Sequence, residues 1–437
     1  MDFRVIGCGA GFAGDRTEPA VALARSGEVN AIGLECLAER TLVPGLRARK
    51  LDPQAGADPR LRRRLLPLLP VAKAAHCQII SNLGAANPAA AARQIAHLAS
   101  ETGCAGLRVA GIIGDDVMAL SEHIHWTEPL LGSLLGAHAY LGADAMRDAV
   151  LAGADVVVTG RAADSALFSA PLLPILLDNH DALAGATGVG HVLECSGQVT
   201  GGNFELPDGS SLTAAEFANL GFPIARVNAD GSAEIGLLGD APGRIDVLTC
   251  TLQLLYEVHD PSAYITPDAI LDFTGVQFDQ IGKNRVRMHG VRSRGRPNQL
   301  KVSGFAEEPG LIADVEIGYA GTYALQRGQV AADVLRLRLA DVPEDKIRID
   351  LVGVDSTLGA ASLSVPNRLP EVRVHVSVRC EDAEMAQIIE DEVYALTLSG
   401  PAGGGSVRSE RRPCLAVVDG FIDRDLVRTD TLWEIAK

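Results

Sequence analysis

The chain has 437 residues, of which 47% are apolar and 22% are charged, a composition typical of a folded protein with more than one packed unit. A net charge of −16 and an aromatic content of only 4% argue against nucleic acid and against an anionic membrane surface as partners. No charge-free apolar stretch reaches the roughly 18 residues that a membrane-spanning helix needs, and we expect a cytoplasmic protein without a leader segment.

Local sequence patterns predict alternating strands and helices over the first 175 residues. The predicted strands are apolar along their length and cover residues 3–8, 30–37, 77–81, 106–113 and 155–159. The predicted helices cover residues 18–25, 88–100 and 143–152. Strands that are apolar on both faces and separated by helices predict a parallel sheet with right-handed crossovers. We therefore predict an α/β domain over residues 1–190, with helices flanking a sheet that is open and doubly wound rather than closed as a barrel.

The sequence changes character after residue 190, where Gly, Pro and Asp occur every few residues. Alternating segments at 285–288 and 300–302 predict half-buried strands, and residues 324–340 predict a helix. We predict a strand-rich middle domain over residues 191–345. Strands at 347–352 and 372–378 and a helix at 383–396 then predict a small α+β unit over residues 346–437.

Six sequence blocks, taken together, carry a family resemblance. They are GCGAGFAGDR at 7–16, ECLAERT at 35–41, NLGAANP at 82–88, VTGRAAD at 158–164, LYEVHDP at 255–261 and SGPAGGG at 399–405. In this order they resemble the acyclic terpene utilisation (AtuA) family, from residue 4 to about residue 410. The resemblance implies a role in the catabolism of acyclic terpenes and related branched acids, often handled as CoA esters. Many relatives carry or accompany a small C-terminal domain; we expect this chain to stop before it, which leaves room for a small partner subunit.

The glycine-rich segment at residues 9–14 has the Gly-x-Gly-x-x-Gly spacing of dinucleotide-binding turns. In such turns the helix starts within the glycines, so that its first amides face the pyrophosphate. Here Pro19 marks the helix start, and Asp15 and Glu18 would add negative charge near the phosphates. An NAD-dependent oxidoreductase is therefore our third hypothesis, and we predict no cofactor.

Polar residues follow the predicted strands of the first domain. Ligands of open parallel sheets bind beyond the carboxyl ends of the strands. That position is occupied by Gly11, Asp15 and Arg16 after the first strand, Glu35 after the second, Asn82 and Asn87 after the third, and Arg161 and Asp164 after the fifth. We predict a binding site for a small carboxylate or an acyl-CoA at this edge of the sheet.

Three residues of this set are given specific roles. Arg16 and Arg161 are candidates for binding a substrate carboxylate or phosphate, and the alternative is an ion pair of Arg16 with Glu35 or of Arg161 with Asp164. Glu35 is a candidate general base if burial raises its pKa, and the alternative is a loop cap.

His259 and Asp260 form the acid–base candidate of the middle region, because a carboxylate can orient an imidazole that titrates near neutral pH. The alternative is that Asp260 and Pro261 open a turn and that His259 is merely buried. The glycine-rich segment at 198–203 contributes Gly202 as a binding candidate. Glycines at 403–405, including Gly404, either bring backbone amides to an anion or form a tight loop. We expect His259 and residues 198–203 to form a second wall that faces the loops of the first domain.

The first functional hypothesis is a lyase or hydratase for a branched unsaturated acid or its thioester, with catalytic residues among Glu35, Asp164, His259 and Asp260. The second is a non-catalytic accessory subunit or acyl-ligand-binding protein. We expect a homo-oligomer. The eight cysteines contain no Cys-x-x-Cys pair, so we predict reduced thiols and no metal site.

Overall fold

The computed structural model describes residues 3–206, 208–362 and 369–437. The strands are β1 (Phe3–Ala10), β2 (Ala31–Leu34), β3 (Gln78–Ser81), β4 (Arg108–Ile113), β5 (His125–Trp126), β6 (Ser133–Ala139), β7 (Val156–Thr159), β8 (Ile224–Asn228), β9 (Ala233–Gly236), β10 (Tyr264–Ile265), β11 (Ile270–Asp272), β12 (Gln277–Gly282), β13 (Arg285–His289), β14 (Arg292–Ser293), β15 (Gln299–Ala320), β16 (Ile347–Val352), β17 (Glu371–Cys380), β18 (Gly405–Asp423) and β19 (Asp430–Ile435). The helices are α1 (Glu18–Ser26), α2 (Glu39–Leu51), α3 (Leu61–Ala74), α4 (Pro88–Glu101), α5 (Arg147–Leu151), α6 (Ala166–Ser169), α7 (His180–Leu193), α8 (Ala214–Ala218), α9 (Val247–Leu255), α10 (Ala324–Arg338) and α11 (Ala383–Ser399). None of these helices is long and apolar enough to cross a membrane.

The chain folds into two compact units. The larger comprises Met1–Pro129, Leu135–Gly304 and Val417–Lys437, and the smaller comprises Leu130–Leu134 and Phe305–Ala416. Most of the middle region of the sequence lies in the larger unit, because its strands β8, β9, β13 and β12 pair within the sheet that contains β1. Helix α7 runs through residue 190, where the composition of the sequence changes.

A ten-stranded mixed sheet forms the centre of the larger unit, in the order β12-β13-β9-β8-β1-β2-β3-β7-β4-β19. The five central strands, β1, β2, β3, β7 and β4, are parallel to one another. The outer strands are antiparallel to their neighbours. These parallel strands and the helices between them confirm the predicted α/β class. Every residue of β2, β3 and β7 is buried, as expected for parallel strands covered on both faces.

Helices cover both faces of this sheet. On one face, Ile32, Ile79 and Val158 pack with apolar residues of α1, α3 and α4. On the other face, Ile80 and Val157 pack with apolar residues of α6, α7 and α9. With both faces covered, the loops that follow the parallel strands are where a site can form.

Helices α2 and α3 were not predicted, and both contain proline: Pro44 in α2, and Pro67 and Pro70 in α3. A proline inside a helix costs about 3 kcal/mol because it removes a backbone hydrogen bond and clashes with the preceding turn. Burial of one leucine contributes about 1.5–3 kcal/mol. Helix α3 buries Leu61, Leu65, Leu68 and Leu69, so tertiary packing outweighs its poor local propensity.

The smaller unit has the strand–helix–strand–strand–helix–strand order of ferredoxin-like folds. Its elements follow in the order β15-α10-β16-β17-α11-β18, and the strands are arranged β16-β17-β15-β18. Alternate residues of β17, from Val372 to Val378, pack with α10 and α11 on one face. The predicted strands and helices of the last region are thus present. This fold hosts many unrelated functions, so it does not by itself indicate an activity.

Candidate functional site

A buried arginine lies where several loops at the carboxyl end of the parallel sheet meet. Only 4% of Arg161 is exposed, and its Nη1 donates a hydrogen bond to the carbonyl oxygen of Leu37. Its Nη2 lies 3.8 Å from Glu39 Oε1 and 3.7 Å from Asp164 Oδ1. The guanidinium also stacks on the Tyr140 ring, with 4.0 Å between Cζ and the ring centroid. Asp164, the ion-pair partner that the sequence offered as an alternative, lies within 4 Å of Arg161, and much of the Arg161 guanidinium is engaged by protein groups.

Glu35 is buried beside this arginine, at the end of β2. Its Oε1 accepts hydrogen bonds from Leu37 N at 2.8 Å and from Asn82 Nδ2 at 3.1 Å. Asn82 follows β3, the next strand in the sheet, and its Oδ1 accepts a hydrogen bond from Cys36 N at 2.7 Å. Burial raises the pKa of Glu35 to about 6, although Arg161 and both hydrogen bonds favour the carboxylate. Glu35 therefore has the raised pKa of a general base and also caps its own loop.

Asp164 follows Arg161 by three residues in the loop after β7, in a different environment. Its side chain is 37% exposed, while its Oδ1 is enclosed by protein. Among the described residues, its enclosed Oδ1 has no hydrogen-bond partner. Burial and the nearby charge of Glu35 raise the pKa of Asp164 well above its usual range, and Arg161 only partly opposes them.

Glu39 and Tyr140 hold the arginine in place. The Tyr140 hydroxyl donates a hydrogen bond to Glu39 Oε1 and accepts one from the Ser303 hydroxyl at 3.4 Å. Burial alone would raise the pKa of Glu39, but Arg161 and Tyr140 lower it further than burial raises it. Burial raises the pKa of Tyr140, so the phenol remains a hydrogen-bond donor.

The end of α7 adds a histidine and a carboxylate that the sequence analysis did not select. His191 Nδ1 lies 2.7 Å from Glu194 Oε1, and both residues are buried. Glu194 acts electrostatically on both Glu35 and Asp164, which places it in the same cluster. The signal in the sequence was a His and a Glu three residues apart at a helix end, a spacing that brings side chains together.

The glycine-rich loop after β1 packs directly against this segment. A Cβ added to Gly11 would lie 2.6 Å from the carbonyl carbon of Cys195 and 2.7 Å from the carbonyl oxygen of Glu194. In a dinucleotide-binding turn, the pyrophosphate occupies the space beside the second glycine. Asp15 Oδ2 also accepts a hydrogen bond from Gly11 N at 2.9 Å, so that amide faces a carboxylate. The loop geometry argues against a dinucleotide here.

Two predicted binding residues lie apart from the arginine cluster. Arg16 is exposed and donates a hydrogen bond to the carbonyl oxygen of Phe217 at 2.5 Å. It lines a cavity of about 280 Å³ together with α1 residues and residues 218–222. Asn87 caps α4 through Ala90 N at 3.1 Å, and its Nδ2 donates to the carbonyl oxygens of Pro53 and Ala55. The contacts of Asn87 account for it as a structural residue.

The acid–base candidate of the middle region lies on the surface. His259 and Asp260 are exposed, and Asp260 Oδ1 accepts a hydrogen bond from Ser262 N at 2.8 Å. The charged neighbours of Asp260 are Arg294 and Asp272. The turn expected as the alternative is therefore present, but His259 is exposed and not buried. The middle-region residues that do lie in the arginine cluster are His191 and Glu194.

The two remaining glycines occupy tight turns. Gly202 N donates a hydrogen bond to the carbonyl oxygen of Gly197 at 2.8 Å, and a Cβ on Gly202 would lie 2.8 Å from the same oxygen. In the smaller unit, a Cβ on Gly404 would lie 3.0 Å from the Tyr319 hydroxyl. Within the described ranges, no group of three or more His, Cys, Asp or Glu side chains is arranged to hold a metal ion.

Comparison with known proteins gives one match. Neither the curated proteins nor the solved structures contain a chain that matches this one. The family model described as acyclic terpene utilisation family protein AtuA matches residues 4–433. This match covers nearly the whole chain and confirms the resemblance carried by the six sequence blocks. The chain therefore belongs to the AtuA family of acyclic terpene utilisation proteins.

Proposed function

We propose that the protein is a lyase or hydratase that adds water to, or removes it from, a branched unsaturated carboxylic acid or its CoA thioester. The observation that carries the proposal is the pair of carboxyl groups, Glu35 and Asp164, placed around Arg161 in different environments. Two carboxyl groups whose surroundings separate their pKa values can act as a base and an acid in one site. Membership of the AtuA family supports acyclic terpene utilisation as the setting.

The charges of the cluster assign the two roles. Glu39 is ionised, since Arg161 and Tyr140 outweigh the effect of its burial. Glu35 accepts two hydrogen bonds that favour its carboxylate, and a pKa of about 6 leaves it mostly ionised at neutral pH. Asp164 has a strongly raised pKa and an enclosed oxygen without a hydrogen bond, so it keeps a proton. Glu35 is therefore the proposed general base and Asp164 the proposed general acid.

In the hydration direction, Glu35 takes a proton from water, the water oxygen bonds to the β-carbon, and Asp164 gives its proton to the α-carbon. Dehydration is the reverse. Negative charge develops on the substrate carboxyl or thioester oxygen, and the nearby Arg161 supplies positive charge without having to move. After each turnover the proton taken up by Glu35 is returned to Asp164 by way of water, which reaches the exposed side of Asp164.

The test is an assay of the purified protein with unsaturated and hydroxylated terpenoid acids and their CoA esters, following gain or loss of water by mass spectrometry. Glu35→Gln and Asp164→Asn should each lower kcat by about 10²–10⁴-fold, the usual contribution of a general acid or base. Asp260→Asn is the matched control, because Asp260 is exposed, and it should retain full activity. Unchanged turnover in both cluster variants, with folding verified by circular dichroism, would contradict the assignment.

An acyl-ligand-binding accessory subunit remains the second candidate, and one observation favours it. Arg161 already contacts Leu37, Glu39, Asp164 and Tyr140, which limits what it can offer a substrate carboxylate. This candidate predicts that CoA esters bind in calorimetry while no substrate is turned over. Turnover by the isolated protein would eliminate it.

A further inference from the structure

His191 lies in the last turn of α7, and each of its ring nitrogens faces a hydrogen-bond acceptor. Nδ1 lies 2.7 Å from Glu194 Oε1, and Nε2 lies 3.1 Å from the carbonyl oxygen of Leu254. A carbonyl oxygen only accepts, so Nε2 must carry a hydrogen. An ionised carboxylate also only accepts, so Nδ1 carries one whenever Glu194 is charged. The contacts therefore describe a doubly protonated ring beside a carboxylate.

We infer that His191 and Glu194 form a buried imidazolium–carboxylate pair, in which the His191 ring fixes the Glu194 carboxylate beside the site and that carboxylate helps keep Asp164 protonated. The inference rests on the proposed function, in which Asp164 is the general acid. In this role His191 and Glu194 are positioning residues, since they act through Asp164 and not on substrate.

The surroundings of His191 favour its charged form. The ring is 1% exposed and packs against Tyr264 and Phe273, at centroid distances of 4.9 and 6.1 Å. Burial by itself lowers the pKa of His191, but Glu194, the Leu254 carbonyl and Glu257 raise it by more. The C-terminal end of α7 adds the negative end of a helix dipole. The titratable groups around the pair are Glu35, Asp164, Cys195, Glu257 and Tyr264.

Close backbone packing fixes the pair relative to the site. A Cβ on Gly190, next to His191, would lie 2.5 Å from the carbonyl oxygen of Ser165, the residue after Asp164. On its other side the segment contacts Gly11, where a Cβ would lie 2.7 Å from the carbonyl oxygen of Glu194. Neither contact leaves room for a methyl group, so the segment is held between two loops of the site. The charge of Glu194 raises the pKa of both Asp164 and Glu35 from this position.

The first measurement is nuclear magnetic resonance of the full chain labelled with ¹⁵N-histidine, in which the ring nitrogens report protonation directly. His191, assigned from its loss in His191→Gln, should show two protonated nitrogens at pH 7.5. The partly exposed His289, which lies 3.1 Å from Asp279, is the reference ring in the same spectrum. A neutral His191 ring at pH 7.5 would overturn the inference without the use of any variant at Glu194.

The second measurement follows Asp164 by ¹³C-carboxyl labelling, with Asp164→Asn for assignment. Glu194→Gln should lower the titration midpoint of Asp164, because a neighbouring negative charge is removed. Glu194→Asp, which keeps the charge, should largely restore the wild-type midpoint. A structural role alone predicts no such difference between Gln and Asp, and equal midpoints in the two variants would refute the inference. An inactive wild type with these titrations intact would instead refute only the proposed function.

Discussion

Asn82 joins the ends of two neighbouring parallel strands by bonding Glu35 and the backbone next to it. Its Nδ2 donates to Glu35 Oε1 at 3.1 Å, and its Oδ1 accepts from Cys36 N at 2.7 Å. One amide side chain therefore both orients the proposed base and favours its ionised form. The strand order β2-β3 makes this possible, since the loops after adjacent parallel strands lie side by side.

Replacing Asn82 with Ala should raise the pKa of Glu35 above about 6, because the carboxylate loses a donor. The Cys36 amide would also be left buried without its partner, at a cost of about 1–3 kcal/mol in the free energy of unfolding. Carboxyl NMR titration and urea unfolding measure the two effects. Asn87→Ala removes a helix cap elsewhere and should lower stability without moving the Glu35 titration. A Glu35 titration that is the same in wild type and Asn82→Ala would contradict this account.

The buried Glu35 should make stability depend on pH in a definite direction. Its pKa is about 6 in the folded protein and about 4.3 when unfolded, so the folded state binds this proton more tightly. The resulting stabilisation is full below about pH 4 and is lost as the pH rises through about 6, a change of about 2 kcal/mol. The free energy of unfolding of Glu35→Gln, relative to that of wild type, should therefore increase by about 2 kcal/mol between pH 4 and pH 7.5. Urea unfolding at the two pH values measures this difference.

Asp268 provides a positive control for this pH effect outside the cluster. Burial and the charge of Asp144 raise the pKa of Asp268 to about 6, and its Oδ1 accepts a hydrogen bond from Ala143 N at 2.8 Å. Asp268→Asn should show the same direction of change as Glu35→Gln. If the stability difference between Glu35→Gln and wild type stays constant with pH, the raised pKa of Glu35 is wrong.

Gly11→Ala should disturb the site by forcing apart the glycine-rich loop and the end of α7. The added Cβ would approach the backbone of Cys195 to 2.6 Å, and backbone atoms cannot rotate away as a side chain can. We expect a loss of about 1–3 kcal/mol in unfolding free energy, as for other overpacked positions, together with lower turnover. Gly405→Ala is the control, since a Cβ there meets nothing within 4 Å. Equal stability of both variants and wild type would disprove the close packing.

Tyr140 contributes two separable interactions, and two substitutions should distinguish them. Tyr140→Phe keeps the ring under Arg161 but removes the hydroxyl that donates a hydrogen bond to Glu39. Because this hydrogen bond is to a charged group, its loss should lower the free energy of unfolding by about 1.5–3 kcal/mol. Tyr140→Leu also removes the aromatic face and should cost about 0.5–2 kcal/mol more. Carboxyl NMR should show the pKa of Glu39 rising in both variants. No additional loss in the Leu variant would mean that the stacking does not contribute.

Much of the secondary structure was determined locally. The predictions of β1, α1, α4, α10 and α11 agree with the structure within a few residues at either end. Their signals were apolar runs or helical periodicity, with Pro19 and Pro88 in the first turns of α1 and α4. Helices α2 and α3 contain prolines, which lower the local helix propensity and gave no helix signal in the sequence. They form because their buried leucines pack against the rest of the protein.

The convergence of Glu35, Asn82, Arg161 and Asp164 was also contained in the sequence. Parallel strands present their carboxyl ends at one edge of a sheet, so residues that directly follow such strands must come close together. Knowing which segments were strands was sufficient to place these four residues. The strand assignments did not place Arg16 and Asn87 correctly, because the Arg16 side chain contacts Phe217 and the Asn87 side chain caps α4.

Only the tertiary structure decided how these residues are used. The sheet order, with β7 between β3 and β4, and the pairing of β8 with β1 depend on contacts between distant segments that no local pattern encodes. The same holds for the stacking of Arg161 on Tyr140 and for the position of Glu194 against Gly11. Secondary-structure propensity depends on a few neighbouring residues, so it can be predicted from the sequence. The pKa of a carboxyl group depends on burial and on charges that the fold brings within a few ångströms, so the protonation states of Glu35 and Asp164 could be assigned only in three dimensions.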